Sequence, residues 1–535
     1  LLTQLEKMRR YGFTNAELDR VKKETLSAYE KSYNERNTVR NIRYAQEYIR
    51  HYLSDEPIPG IAWEYEMLQQ ILPALSVDML NQIAQQLVTD ENLIISFQAP
   101  MDKNVVLPTE QEAVEMLAAV KNEEIEAPVE EAIRENLVET TPKAAKIKKT
   151  AYNETLGTTE WTLSNGVRVV VKPTTFKQDE ILFYAFSQGG RSLVATADLP
   201  SAALATDVVE LGGLADMNAT DLQKALTGKR VSLSPSISAY SEGVNGSSTV
   251  KDLETLLQLN YLYFTAPRRD EESYQTLMSI LDSQLANRDK NPKVAWSDSV
   301  QMMASNYSDR TLIVNKELLS KASLDKALEV YKARFANPAD FTFFFVGNVD
   351  PADPAFQTMV CTWLGGLKAN KKLEKAADDK VRVAMGIQKN YFTRQMETKT
   401  ASNRIQYTSY DMPYTLANDL NMEMIGRILS TRYLESIRER EGGSYGVGCA
   451  GWMNRHPVPY AQLIMQFDTD PEKQEKLMNI IHEEVKTIIE NGPLAKDLQK
   501  EKESMLKDFE ENVEKNGYWK EVLSTYYKHN INYIT

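Results

Sequence analysis

One helix plan recurs three times along the chain, and this internal repetition limits its fold more than any single motif. Residues 12–24 (GFTNAELDRVKKE), 266–278 (APRRDEESYQTLM) and 492–504 (GPLAKDLQKEKES) share it. Each places a Gly or Pro before a short polar turn, then an acidic first turn and a long charged helix. In the first copy Leu18, Val21 and Leu26 are the apolar positions, and Thr14 or Asn15 is the expected cap. That copy leads through a helical stretch at 72–88 to an expected strand at 93–100 (LIISFQAP). The second leads through 323–338 to an expected strand at 341–350 (FTFFFVGNVD). The third reaches Thr535 before a matching helix and strand, so the last unit is expected to be incomplete.

Residues 101–151 break the pattern. They are Ala/Glu-rich and helical in parts, then turn lysine-rich around Pro142, which reads as a solvated connector between two large halves. A new unit starts near Glu160. Asn165-Gly166 lies between two alternating apolar runs, a hairpin signal for a type I′ turn with positive φ at both positions. A strand at 181–190 ends in glycines, and a helix at 201–211 stops at Gly212-Gly213. The final unit has a strand at 404–412, one long helix at 416–441, strands at 445–451 and 460–469, and a helix opened by Asp470-Pro471. This order predicts α+β units with helices on one face of a mostly antiparallel sheet.

Composition narrows the function classes. A chain of 535 residues has room for three or four domains, and 42% hydrophobic with 26% charged residues is ordinary for a soluble globular protein. The formal charge of −13, from 62 basic and 75 acidic residues, with no basic block, argues against nucleic acid as a partner. No apolar run is long enough to span a bilayer. Cys361 and Cys449 are the only cysteines, too few for a disulfide scaffold. The compartment stays open, with periplasm or cell envelope set ahead of cytoplasm. The chain starts at Leu1 without Met, so further sequence is expected upstream.

The stretch from Thr431 to Gly451 (TRYLESIREREGGSYGVGCAG) carries the candidate chemistry. Leu434 and Ile437 are expected on one helical face, Gly442 and Gly443 stop the helix, and Tyr445 is expected to start a strand. Arg438 then lies on the last helical turn, seven residues before Tyr445. A guanidinium and a phenol at one corner are both donors suited to a carbonyl or a developing oxyanion. The plainer reading is an Arg paired with a Glu and a Tyr packed in the sheet.

The order Leu434, Arg438, Glu441, Tyr445 resembles the C-terminal signature of the pitrilysin/insulinase family of zinc peptidases, and LSNGVRV (163–169) resembles the opening strand of that family's domains. The resemblance covers nearly the whole chain. It implies the pitrilysin/mitochondrial processing peptidase-like metallohydrolase fold, built from repeated α/β domains. It places the end of a second domain at 1–100, an inter-half linker at 101–151, a third domain without metal at 152–384 and a fourth at 385–535. It also implies that Arg438 and Tyr445, with Gly442 and Gly443, meet a peptide or unfolded polypeptide substrate. Zinc would then belong to a parent enzyme, held by the missing N-terminal half of the same polypeptide.

In that family's catalytic domain the helix after the glycine pair carries H-x-x-E-H, two imidazoles that bind zinc and a Glu that activates water. The helix in that place here offers Asp207 and Glu210 and no histidine. His51, His456, His482 and His529 are scattered, and His482-Glu483-Glu484 is followed by Lys486 where a second ligand would stand. No zinc site is expected in this chain, nor activity from it alone. A serine nucleophile elbow, a P-loop and a GxGxxG fingerprint are absent. Two alternatives stay open beside the enzyme half: a non-catalytic partner or scaffold of the same family, and an unrelated α+β binding module.

Overall fold

The computed structural model describes residues 2–87, 93–99, 106–129, 134, 136–370, 373–444 and 446–529. Two compact units account for the chain: Leu1–Glu139 with Thr220–Val231 and Lys251–Thr255, and Thr140–Ala219 with Ser232–Val250 and Leu256–Thr535.

The first unit contains α1 (Leu2–Tyr11), α2 (Asn15–Asn34), α3 (Asn41–Ser54), α4 (Ile61–Ala74), α5 (Val77–Leu87) and α6 (Glu110–Asn122). Thr14 is the cap of α2. Its hydroxyl accepts from the Glu17 N–H at 3.2 Å and the Glu17 carboxylate accepts from the Thr14 N–H at 2.7 Å, a capping box that satisfies two orphan donors. Glu6 is buried between Arg9 and Arg10, each at 2.6 Å, and the Arg9 hydrogen bond leads in holding its carboxyl down to about 2. Residues 93–99 are not a strand, contrary to expectation, and Leu93, Ile94, Ile95 and Phe97 are exposed. A strand needs a hydrogen-bonded neighbour, and none pairs with this segment among the described residues.

The second unit is built on two sheets. The larger has seven strands in the order β1-β2-β3-β7-β4-β6-β5: β1 (Ile147–Asn153), β2 (Thr158–Leu163), β3 (Arg168–Pro173), β4 (Ile181–Gln188), β5 (Val231–Ile237), β6 (Ser241–Ser248) and β7 (Thr342–Gly347). The pairs β1–β2, β2–β3, β4–β6 and β4–β7 are antiparallel and β3–β7 is parallel. Thus the last residues of the expected linker already form strand from Ile147.

Asn165-Gly166 does close the β2–β3 hairpin, but only Gly166 has positive φ, at +94°. The turn departs from type I′, and the Asn165 side chain bridges it: Oδ1 accepts from the Val167 N–H at 3.2 Å and Nδ2 donates to the carbonyls of Leu364, Gly365 and Leu367 at 3.0–3.1 Å. There it caps α15 (Pro354–Trp363).

The helix expected at 201–211 is two pieces, α7 (Leu199–Ala202) and α8 (Ala205–Gly212), followed by α9 (Ala219–Ala225), α10 (Leu253–Thr265), α11 (Glu271–Leu285), α12 (Pro292–Ala304), α13 (Lys316–Lys321) and α14 (Leu324–Arg334). The central strand β7 is buried along its whole length, which its unbroken apolar run requires. On one face Phe343 and Phe345 meet Phe264 of α10 and Phe356 of α15, at 5.8 Å and 5.2 Å between centroids.

On the other face Val170, Tyr184, Phe344 and Val346 pack against Leu523, Trp519 and Tyr527 of the last helix, α19 (Asn516–His529). Tyr184 stacks on Phe344 at 4.5 Å and Tyr527 meets Phe344 edge-on at 5.3 Å. One-sided helix cover was expected; α19 covers the second face as well.

The smaller sheet is antiparallel, in the order β8-β10-β9, from β8 (Ala401–Ser409), β9 (Gly448–Asn454) and β10 (Tyr460–Thr469). Against it lie α16 (Leu416–Tyr433) and α17 (Gln474–Asn491), with Leu429, Tyr433, Ile437, Met465, Phe467, Leu477 and Ile481 as core; α18 (Ala495–Asn512) follows.

Candidate functional site

The corner carrying Arg438 is set by how α16 sits on β9. Thr415 caps the helix by accepting from the Asn418 N–H at 3.1 Å. Gly426 and Gly451 let helix and strand touch: a Cβ on Gly426 would lie 2.6 Å from the Gly451 nitrogen, and one on Gly451 2.2 Å from the Met422 carbonyl. The Ser430 hydroxyl donates to the Cys449 carbonyl at 2.9 Å and accepts from the Cys449 N–H at 3.2 Å. Burial pushes the neighbouring Cys449 thiol up to about 12, so it stays protonated.

The single long helix expected to Glu441 is α-helical only to Tyr433; Leu434–Glu439 form a π-helical turn. Residues one turn apart are then no longer three or four apart, and the expected Leu434/Ile437 face fails. Ile437 is fully buried with Tyr433, whereas Leu434 is 38% exposed. Such π turns widen a helix locally and recur at functional sites.

The helix closes on Gly442, whose φ is +54°. The Gly442 and Gly443 N–H groups donate back to the carbonyls of Arg438 and Ile437, both at 3.2 Å, a nested closure in which each bond spans one residue more than in a Schellman motif. Thr469 donates to the Gly443 carbonyl at 2.6 Å and Ser444 to the Asp468 carbonyl at 2.7 Å, fastening the corner to the end of β10. The strand expected from Tyr445 begins at Gly448. Tyr445 itself lies outside the described residues.

The arginines of this helix divide sharply. Arg427 binds Glu423 and Asp508 at 2.9 Å and 2.8 Å. Arg432 binds Glu484 at 2.6 Å and Asp497 at 3.4 Å, and the Glu484 hydrogen bond first of all holds its pKa above the ordinary value. The pair floors an open cleft of about 370 Å3 along α17. Arg438 is exposed, and its guanidinium has no hydrogen bond or ion pair among the described residues. Glu441, the nearest candidate partner in the sequence motif, pairs with Lys476 instead. Among the described residues Arg438, like the exposed Arg440 two residues on, keeps a planar cation free to take a carbonyl or carboxylate.

The residues do not fit zinc. Among the described residues no group of three or more His, Cys, Asp or Glu could hold a metal ion. Glu210 on α8 is pushed up chiefly by burial. The scattered histidines hide one association: His456 and His529 stack at 4.7 Å. Burial leads in pushing both down, His529 to about 4, and the adjacent Arg455 and Lys528 add to the effect. Two stacked rings beside two cations disfavour a further cation. No local pattern could have announced this pair. Elsewhere the Tyr407 hydroxyl and His482 Nδ1 lie 2.7 Å apart, and His51 Nδ1 sits 2.7 Å from the Glu56 carbonyl.

Residues 321–505 match the family described as the peptidase M16 inactive domain. A "Zinc protease PQQL-like" of Arabidopsis thaliana is 26% identical over 534 residues, covering 96% of this chain and 52% of that protein. Two solved structures share the fold. The periplasmic protease PqqL from Escherichia coli has a TM-score of 0.68 at 17% identity, with 99% of this chain and 58% of that one covered. The ferredoxin protease FusC, in complex with Arabidopsis ferredoxin, has a TM-score of 0.67 at 16% identity, with the same coverage. The chain spans about half the length of the curated relatives it matches.

Proposed function

We propose that this chain, which resembles the C-terminal half of the pitrilysin/insulinase zinc peptidases, forms one wall of a peptide-binding chamber and supplies Arg438 and Tyr445 to the substrate. The observation that carries the reading is Arg438. It is exposed and without a partner among the described residues, whereas Arg427 and Arg432, earlier on the same helix, are ion-paired. The peptidase names of the relatives and the inactive-domain description of 321–505 support it at a coarser level.

Zinc would come with residues outside this chain and would supply Lewis-acid chemistry in the parent enzyme. What this chain's residues do is separate. Arg438 donates to a backbone carbonyl of the substrate and fixes its register. The Tyr445 phenol, placed by sequence alone, donates to the carbonyl oxygen on which charge develops, an interaction that strengthens toward the transition state. The substrate is read as a peptide or unfolded polypeptide, the domains as a third at 152–384 and a fourth at 385–535, and the setting as periplasmic by analogy with PqqL.

Kinetics on the parent polypeptide separate the roles. Tyr445→Phe is expected to lower kcat about 10²-fold with little change in KM, the signature of a lost oxyanion donor. Arg438→Ala is expected to raise KM at an unchanged Tm. Wild-type kcat in Tyr445→Phe, corrected for folded protein, removes the catalytic role; an unchanged KM in Arg438→Ala removes the substrate contact. A non-catalytic family member would instead show no turnover in the parent at all.

A further inference from the structure

The lysine-rich stretch that reads in the sequence as a solvated connector is held against the seven-stranded sheet. The Ala145 N–H donates to the Cys361 carbonyl at 2.9 Å, the Lys146 N–H to the Ser164 hydroxyl at 3.1 Å, and the Ser164 N–H to the Lys146 carbonyl at 2.8 Å. Gly365 permits this approach, because a Cβ there would lie 2.4 Å from the Ala145 Cβ. The chain then enters β1, which pairs with β2 on one side and ends the sheet. Every residue between Ile147 and Asn153 is exposed, Tyr152 to 66%. The outer side of β1 is therefore a row of backbone N–H and C=O groups with no strand beside it among the described residues.

The charge along this edge runs against that of the chain. Lys143, Lys146, Lys148 and Lys149 are exposed, and their ammonium groups have no hydrogen bond or ion pair among the described residues, in a chain of net charge −13. A bulge between Ile147 and Lys149 leaves Lys148 with no residue opposite it on β2. The strand at the other end of the sheet is closed differently. In β5, Pro235 removes a backbone donor, and Leu233, Pro235 and Ile237 bury one face. Lysines on an edge discourage pairing, but what they discourage depends on the incoming strand. A second copy of β1 would set like charges together, and a neutral strand gains nothing from the ammonium groups. A strand rich in carboxylates satisfies both the backbone row and the lysines.

We propose that β1 is a docking edge for an acidic, extended segment of a partner protein, which adds to the sheet as an eighth strand. The unpaired backbone row selects an extended chain, and the four lysines select its carboxylates. The net negative charge of the chain makes this attraction local, so added salt weakens it. The inference does not rest on the peptidase reading: β1 belongs to the seven-stranded sheet, and the Arg438 corner to the smaller one.

Fluorescence anisotropy with a labelled peptide of alternating Glu and Thr tests it. Two controls are the same peptide with Lys in place of Glu, and the Glu peptide N-methylated at alternate backbone nitrogens. The Glu peptide should saturate, and each control should bind about 10-fold or more weakly, one lacking the charge match and the other the ladder. Lys148→Glu combined with Lys149→Glu should weaken the Glu peptide about 10-fold at an unchanged Tm, since both side chains are exposed. Amides from Lys148 to Tyr152 should exchange more slowly once the peptide is added. Absence of saturable binding overturns the proposal. Equal binding of the N-methylated peptide does so too, because no strand is then added. A third contrary result is that the chain ignores the Glu peptide while Lys148→Thr with Lys149→Thr self-associates; the lysines then serve only to keep the edge apart.

Discussion

After β4 the chain turns on Gly189-Gly190, and after α16 on Gly442-Gly443. The two corners treat their guanidinium groups in opposite ways. At the first, every nearby guanidinium is tied down. Arg191 donates to the Ile237 carbonyl, Arg310 donates to those of Arg191 and Val194 at 2.7 Å and 3.2 Å, and Arg334 binds Glu374 at 2.9 Å. Glu242 lies beneath and accepts from the Gly190 N–H at 2.5 Å; burial outweighs that bond and the Arg334 charge and pushes its carboxyl up to about 7. At the second corner the ties are backbone carbonyls, two hydroxyls and the Lys473 ammonium, which donates to the Gly442 carbonyl at 3.3 Å, while the Arg438 guanidinium extends into solvent. Holding a cation in a buried network fixes a turn and removes the cation from any ligand. Leaving it unpaired contributes little to stability and keeps its donors for something else.

The contrast can be broken most directly within α16. Arg432→Ala strands Glu484 and Asp497, whose side chains are 14% and 10% exposed, and should cost roughly 3 kcal/mol by chemical denaturation. Arg438→Ala, away from any partner, should stay within about 0.5 kcal/mol of the parent chain. A comparable loss for both would mean that Arg438 is structural and would end the distinction.

The glycines sharpen it at the next level. A Cβ on Gly190 would lie 2.5 Å from the Ser238 carbonyl at φ +57°, whereas one on Gly442, at φ +54°, meets nothing within 4 Å. Gly190→Ala should therefore cost about 2–3 kcal/mol, strain plus backbone clash, and Gly442→Ala only about 1 kcal/mol of left-handed strain. Equal costs would show that the first corner can relax.

The smallest effect is in pH dependence. Glu242 binds its proton up to about pH 7 when folded, but releases it near 4.5, as an ordinary glutamate does, when unfolded. Between these values the folded chain holds more protons, so this group's contribution to stability falls as pH rises from about 4.5 through 7. Glu242→Gln should flatten that fall and raise Tm by about 2 °C at pH 8, with no gain at pH 4.5, read by thermal scans across the range.

Much of this was open to reading in the residues alone. The strands at 181, 342, 404 and 460 showed as apolar runs in their own residues, and the Thr14 cap, the hairpin at Asn165-Gly166, the glycine stop at 442 and the recurrence of one helix plan rest on contacts within a few residues of chain. Backbone sterics and i to i+4 hydrogen bonds act there whatever lies further off. What the tertiary structure decided involves partners brought from far away. It put Ile437 inside and Leu434 outside through a π turn. It stacked His456 on His529. Among the described residues it gave 93–99 no sheet neighbour, and it laid α19 on the second face of the seven-stranded sheet. The freedom of Arg438 is of this second kind, because Glu441 stood in sequence reach and only packing assigned it to Lys476. An apolar stripe or a lone charge specifies that a partner is wanted. Which partner arrives depends on loop closures that no local pattern encodes.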